Sequence, residues 1–249
     1  MQLIDTHCHI DLYPDYLGVI DECERHRITT IAVTNAPSVF QQCQQLLDGK
    51  RYLRTAIGLH PELAHLRSSE LPLFAEYLAE TRFVGEIGLD FVTSDDQIRN
   101  AQRRVFETIL TECARYRDRL LSVHSRRAAA EVVDMVGSGF AGTVILHWYS
   151  GSLKVAHRAI ERGMYFSVNT AMMRSEVGRK LVATLPRDRL LTESDGPFVQ
   201  THDRAARPYE VHTTVSEIAY IWETADAEAA KTIHDNFNRL LKADRTNQL

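Results

Sequence analysis

Along this chain, short apolar runs take turns with longer stretches whose apolar residues recur every three or four positions. The short runs fall at residues 3–4, 28–34, 52–59, 83–90, 120–123, 143–146, 164–168 and 189–192, and 28–34 is dense in β-branched side chains. Such runs predict buried strands. Helices are predicted from Tyr13-Pro14-Asp15-Tyr16 to about His26, from Pro37, from Ser68-Ser69-Glu70 and over residues 96–117, where Ala101, Val105, Ile109 and Ala114 mark an apolar stripe. Further helices follow residues 126, 151 and 168, and two more close the chain at 211–223 and 227–242. Strands alternating with helices imply a parallel sheet. Eight such units in 249 residues fit a (β/α)₈ barrel of the α/β class. With no linker, low-complexity segment or composition shift, residues 1–249 read as a single domain.

Composition narrows the function. The chain is 44% hydrophobic and 25% charged, with a net charge of -4. That argues against nucleic-acid binding through bulk positive charge, but leaves open an enzyme that meets phosphates through metal ions. Cys8, Cys23, Cys43 and Cys113 lie far apart, with no Cys-x-x-Cys pair, and read as reduced thiols of a cytoplasmic protein. Asp5, His7 and His9 interrupt any apolar run at the start, so no signal peptide is expected. No apolar stretch approaches the ~20 residues that span a bilayer.

The candidate chemistry collects at the ends of the predicted strands. His7 and His9 follow the first, two residues apart, which in a strand places both imidazoles on one face. Asp5 and Asp11 bracket the pair as further ligands or as carboxylates that orient a ring. His60 follows strand three, Glu86 and Asp90 strand four, His124 strand five, His147 strand six and Asp195 strand eight. A barrel gathers these ends at one mouth. Any one of them alone is an ordinary polar residue at a loop entrance; together they make a ligand set for two divalent cations.

The motifs Asp-Thr-His-Cys-His-Ile-Asp, Gly-Leu-His-Pro, Val-Gly-Glu-Ile-Gly-Leu-Asp, Gln102 with Phe106, His124-Ser125-Arg126, His147-Trp148-Tyr149-Ser150-Gly151 and Thr-Glu-Ser-Asp-Gly-Pro together resemble the TatD family. These are metal-dependent deoxyribonucleases among the amidohydrolase-like barrels. The resemblance runs from about Leu3 to Asn236, with the motifs in the family's order. Two departures, Trp-Tyr-Ser-Gly for Cys-aromatic-Ser-Gly and Glu-Ser-Asp for Glu-Thr-Asp, touch no ligand. Asp-Leu-Tyr-Pro-Asp, Gly-Leu-His-Pro-Glu-Leu-Ala-His and His-Ser-Arg-Arg-Ala-Ala look more specifically like the TatD-like member of the Qat antiphage defence system. By matching position, the resemblance implies that His7, His9, Glu86 and Asp195 hold one metal, with Glu86 bridging to a second completed by His124 and His147. It further implies Asp195 as general base, His60 and Arg126 facing the phosphate, and Glu193 orienting a ligand from behind. The implied cofactors are two divalent ions (Mg, Mn or Zn). The implied partners are a DNA substrate, single-stranded or at ends, and other subunits of the Qat system.

Several features read blandly. Gly137-Ser138-Gly139-Phe140-Ala141-Gly142 matches Gly-x-Gly-x-x-Gly but leaves a helix and enters a strand, so it is a helix stop. No Gly-x-Ser-x-Gly elbow is present, which disfavours a serine hydrolase. His26, His157 and His234 read as helix-surface residues, whereas His65, His202 and His212 lie in loops nearer the mouth. Arg179, Lys180, Arg187 and Arg189 read as a solvated helix face, while Arg174 follows strand seven closely enough to matter. Arg204 and Arg207 could steer a polyanion. Two other functions remain open on the residues alone. One is hydrolysis of a small amide, lactone or phosphoester. The other is a mainly structural subunit of a defence complex, against which the intact ligand set argues.

Overall fold

The computed structural model describes residues 2–201 and 204–242. In chain order the elements are β1 (Ile4–Cys8), α1 (Tyr16–His26), β2 (Thr29–Val33), α2 (Pro37–Leu46), β3 (Leu53–Ala56), α3 (Ala64–Arg67), α4 (Leu71–Tyr77) and β4 (Phe83–Gly88). Then come α5 (Asp96–Ala114), β5 (Leu120–His124), α6 (Ala129–Val136), β6 (Thr143–Leu146), α7 (Leu153–Glu161), β7 (Tyr165–Val168), α8 (Thr170–Met173) and α9 (Glu176–Thr184). The chain continues through β8 (Leu190–Thr192), β9 (Gln200–Thr201), β10 (Arg204–Ala205), α10 (Val211–Trp222) and α11 (Asp226–Lys242). The strand–helix alternation expected from the apolar pattern is present throughout.

The differences lie at the ends of elements. α1 begins at Tyr16 rather than Tyr13, because the Asp15 carboxylate caps it by accepting from the Gly18 N–H. Ser68–Glu70 is a 3₁₀ turn between two short helices rather than a helix start. The Gly-x-Gly-x-x-Gly look-alike is a helix stop, with Gly137 at φ 70° ending α6 ahead of β6. The small antiparallel pair β9–β10 was not visible in the apolar pattern, since it buries little.

The chain forms two compact units. The first comprises Met1–Ala32, Leu47–Arg54 and Phe166–Leu249. Within it β1 pairs in parallel with β2, Ile4 beside Thr29 and Asp5 beside Thr30, and β7 pairs in parallel with β8. β1 and β8 are tied by the Thr6 hydroxyl donating to the Thr192 carbonyl, at 3.1 Å. Every residue of β1 is buried, as expected of parallel strands covered on both faces. Ile4, Ile31, Phe166, Leu190, Ile218, Ile233 and Phe237 form the core beside α10 and α11.

The second unit comprises Val33–Leu46 and Thr55–Tyr165. Here β4, β5 and β6 run parallel, Val84 beside Leu121 and Leu121 beside Val144. Asp95 caps α5 by accepting from the Gln97 and Ile98 N–H groups. α5 buries Val105, Phe106, Ile109 and Cys113 on one face. Burying a side chain of Phe106's size contributes about 2 kcal/mol. From that buried face, the Gln102 side-chain oxygen accepts from the Asp90 N–H at 2.8 Å, fixing the loop that leaves β4.

Candidate metal centre

Each unit carries its own cluster of ligand-type side chains. In the first, β1 delivers His7 and His9, and the turn after β8 delivers Asp195. The two Nε2 atoms lie 3.2 Å apart, and each is 3.7 Å from the same Asp195 oxygen. The i, i+2 spacing therefore brings both rings to one point, as the sequence predicts. The backbone locks the pair of chain ends: the Asp195 N–H donates to the His7 carbonyl and the His9 N–H to the Gly196 carbonyl, both at 2.9 Å. Asp5 does not join the ligands. It is fully buried and accepts from the Ser194 N–H at 2.9 Å, the Ser194 hydroxyl at 2.6 Å and the His7 N–H at 3.2 Å. Burial pushes its carboxyl up to about 7 against the pull of the Ser194 and His7 hydrogen bonds. Asp5 thus fastens the strand end that carries the histidines to the strand end that carries the aspartate.

Glu193, expected behind the ligands, is buried and held by the Ser167 hydroxyl and by the Asn169 amide, the latter at 2.8 Å. Sequence reading missed Ser167 and Asn169. Their signal was polar residues at i and i+2 at the end of an otherwise apolar strand.

The second unit centres on Glu86. One of its oxygens lies 2.6 Å from His124 Nδ1, 2.8 Å from His147 Nε2 and 3.3 Å from His60 Nε2. Burial alone would raise this carboxyl, but the His60 and His147 charges and the His124 and His147 hydrogen bonds outweigh it and hold it well below the usual carboxylate range. Two glycines let the backbone make this site. A Cβ on Gly58 would lie 2.3 Å from the Glu86 nitrogen, and one on Gly88 would lie 2.1 Å from the His124 carbonyl oxygen. Gly88 also stands at φ +131°, which an L side chain rarely adopts.

The imidazoles of this cluster are prepared for different work. His124 lies between two carboxylates, Nε2 2.9 Å from Asp90 and Nδ1 2.6 Å from Glu86, and against its burial the hydrogen bonds to both raise its pKa. Asp90 is in turn fixed by the Val92 N–H at 2.8 Å. Burial works against its ionisation, but the His124 and Val92 hydrogen bonds and the nearby Arg126 charge lower its pKa. His60 is the reverse case. Its Nδ1 accepts from the Glu62 N–H at 3.2 Å, so the neutral ring carries its proton on Nε2, facing Glu86, and presents a donor. That chemistry suits the substrate-facing role expected for His60, although the ring sits close enough to Glu86 and His124 to count geometrically among the possible ligands. Arg126 is exposed just past β5.

Imidazole nitrogens with one carboxylate are donors for divalent transition metals, and both clusters, His7–His9–Asp195 and His60–Glu86–His124, have their ligand atoms close enough for one ion. His147 joins the second through Glu86. His65 is exposed on α3, His212 Nδ1 sits 2.7 Å from the Tyr209 carbonyl, and His202 lies outside the described residues. Arg204 and Arg207, expected to steer a polyanion, are instead paired, Arg204 with Glu210 and Arg207 with Asp15 and Glu22. Carboxylates within reach made those pairings, which chain position alone could not reveal. All four cysteines are free thiols and buried. Among the described residues no helix is long and apolar enough to cross a membrane.

Comparison with known proteins agrees with this chemistry. The family model "TatD related DNase" matches residues 4–242. The metal-dependent hydrolase YjjV of Escherichia coli is 30% identical over 222 residues, covering 83% of this chain and 84% of its own. A mouse protein named putative deoxyribonuclease TATDN3 is 28% identical over 78% of this chain and 72% of its own. The crystal structure of the E. coli TatD homologue YjjV superposes with a TM-score of 0.83 at 25% identity, covering 96% of this chain and 97% of that one. The fold is thus the TIM-barrel, amidohydrolase-like one. With a family match over nearly its whole length and the family's ligand types clustered at its strand ends, this chain belongs to the TatD-related DNase family of metal-dependent hydrolases.

Proposed function

We propose that this hydrolase cleaves phosphodiester bonds of DNA, at single strands or ends, with one divalent cation in each cluster. The observation that carries the reading is the presence of two donor sets, His7–His9–Asp195 and Glu86 with His124 and His147. Divalent cations so held would neutralise phosphate charge and lower the pKa of an attacking water. Asp195, a buried carboxylate of the first cluster, would be the group to accept that water's proton. The Nε2–H of His60 and the exposed guanidinium of Arg126 supply donors to the phosphate oxygens, where a fork of N–H groups fits well. The similarity to human TATDN3, named a deoxyribonuclease, and to its mouse counterpart, named a putative one, supports DNA as substrate.

The resemblance of the Asp-Leu-Tyr-Pro-Asp and His-Ser-Arg-Arg-Ala-Ala stretches to the Qat system supports a role in antiphage defence beside other Qat subunits. A cytoplasmic setting is in keeping with four free, buried thiols. The test is degradation of end-labelled single-stranded and duplex DNA by the metal-reconstituted protein. Wild type should cleave, whereas Glu86→Ala should not. Asp195→Asn should lose ~10²–10⁴-fold in rate with an unchanged circular-dichroism spectrum. An Asp195→Asn enzyme cleaving at the wild-type rate would remove Asp195 as the base.

A further inference from the structure

The loop that leaves β8 carries a ring that neither cluster uses. Phe198 is 55% exposed, yet it stands only three residues past the buried Asp195. Its ring meets the His9 imidazole edge to face, with centroids 4.9 Å apart and planes at 88°. The loop holding it is fixed on both sides: the Val199 N–H donates to the Asp195 carbonyl at 3.0 Å, and the Gly196 carbonyl accepts from His9. Gln200 closes the turn, its side chain donating to the Pro197 carbonyl at 3.0 Å. The Gln200 carbonyl accepts from Arg174 Nη1 at 2.7 Å, which tethers an exposed guanidinium to the same loop. One such bond leaves most of the arginine donors for another acceptor.

We propose that Phe198 and Arg174 form a subsite for an unpaired nucleotide, a base lying on the Phe198 ring and an adjoining phosphate meeting Arg174. The proposal rests on the nuclease reading. An aromatic ring left open beside metal-type ligands is costly to solvate unless something covers it, and every base offers a π-face of the right size. A chain of net charge -4 gains little from bulk attraction to a polyanion. Stacking on a fixed ring supplies affinity that charge does not. It also selects substrate, since a base inside a duplex is already stacked and only one at an end or in a single strand can reach Phe198.

The test is fluorescence anisotropy of a labelled, phosphorothioate-linked thymidine hexamer with the metal-reconstituted protein, beside an abasic hexamer of equal charge. Phe198→Ala and Phe198→Leu should both weaken hexamer binding by roughly 5–150-fold, the range of one base–aromatic stack. Phe198→Trp should keep it, and Arg174→Ala should flatten the salt dependence. The abasic hexamer should bind wild type and Phe198→Ala alike, and metal content should be equal in all variants. Equal hexamer affinity in Phe198→Ala, equal losses on the abasic chain, a drop in bound metal through His9, or no hexamer binding by wild type would each overturn the subsite. Turnover of the ordinary phosphodiester hexamer judges the nuclease reading separately. Stacking without turnover would sink that reading alone, and turnover with binding indifferent to Phe198 would sink the subsite alone.

Discussion

His124 and His60 show how a hydrogen bond on one side of a ring decides what the other side can do. Asp90 accepts a hydrogen bond at His124 Nε2, which would leave Nδ1 as the ligand atom when a metal is bound, while the Glu62 N–H occupies His60 Nδ1 and leaves Nε2 as a donor. Asp90→Ala should therefore weaken metal binding by about 10–100-fold, the usual cost of losing such a partner, with Asp90→Asn falling between. Titration against a chromophoric chelator measures it, and unchanged affinity in Asp90→Ala would show that the ring needs no such support. Arg126 is exposed, and its charge helps to lower the Asp90 pKa. Arg126→Ala should slow DNA turnover by the ~1.5–3 kcal/mol of a charged hydrogen bond while leaving metal content intact. Lysine should recover only part, for want of a two-pronged donor. Equal rates in wild type and Arg126→Ala would favour a small neutral substrate.

At the scale of elements, the ligands depend on how closely strand ends approach. β4 and β5 come together at Gly88, whose α-carbon faces the His124 carbonyl with no room for a methyl group. Gly88→Ala should cost on the order of 1–3 kcal/mol through a crowded backbone and an unfavourable φ. Gly139→Ala, in an exposed turn where a Cβ would meet nothing within 4 Å, should stay within about 0.5 kcal/mol. Urea midpoints of the two variants make the comparison, and equal midpoints would mean that β4 can move aside. In the other unit the same fastening is polar: Asp5 ties the β1 end to Ser194 by two hydrogen bonds.

For the whole molecule, more ligand-type side chains are grouped than one ion uses, so the number of ions bound tests the two-metal reading. Elemental analysis after reconstitution should approach two divalent ions per chain, because the six ligands expected from the sequence exceed what one tetrahedral ion uses. A firm plateau at one in active enzyme would sink the two-metal reading. On the nuclease reading, the acidic balance of the chain means that affinity for nucleic acid would come from the site itself, through bound cations, Arg126 and Phe198.

Much of this was legible in the residues. The β-branched runs and the helical spacing between them specify an alternating α/β chain, because burial on both faces demands continuous apolar strands. His7 and His9 announce a shared point by their spacing alone, since a strand turns alternate side chains to the same face. The decoy at Gly137 was also readable, from what comes before and after it. Tertiary structure decided the rest, because it depends on neighbours distant in sequence. Asp5 is a fastener rather than a ligand since its oxygens meet Ser194, 189 positions away. Arg204 and Arg207 are spent on Glu210, Asp15 and Glu22. Asp90 became the hydrogen-bond partner of His124, 34 residues on, whereas the Glu62 N–H occupies Nδ1 of His60. Sequence supplies the groups and their periodicity; which proton sits on which nitrogen is set by contacts that exist only once the strands are in register.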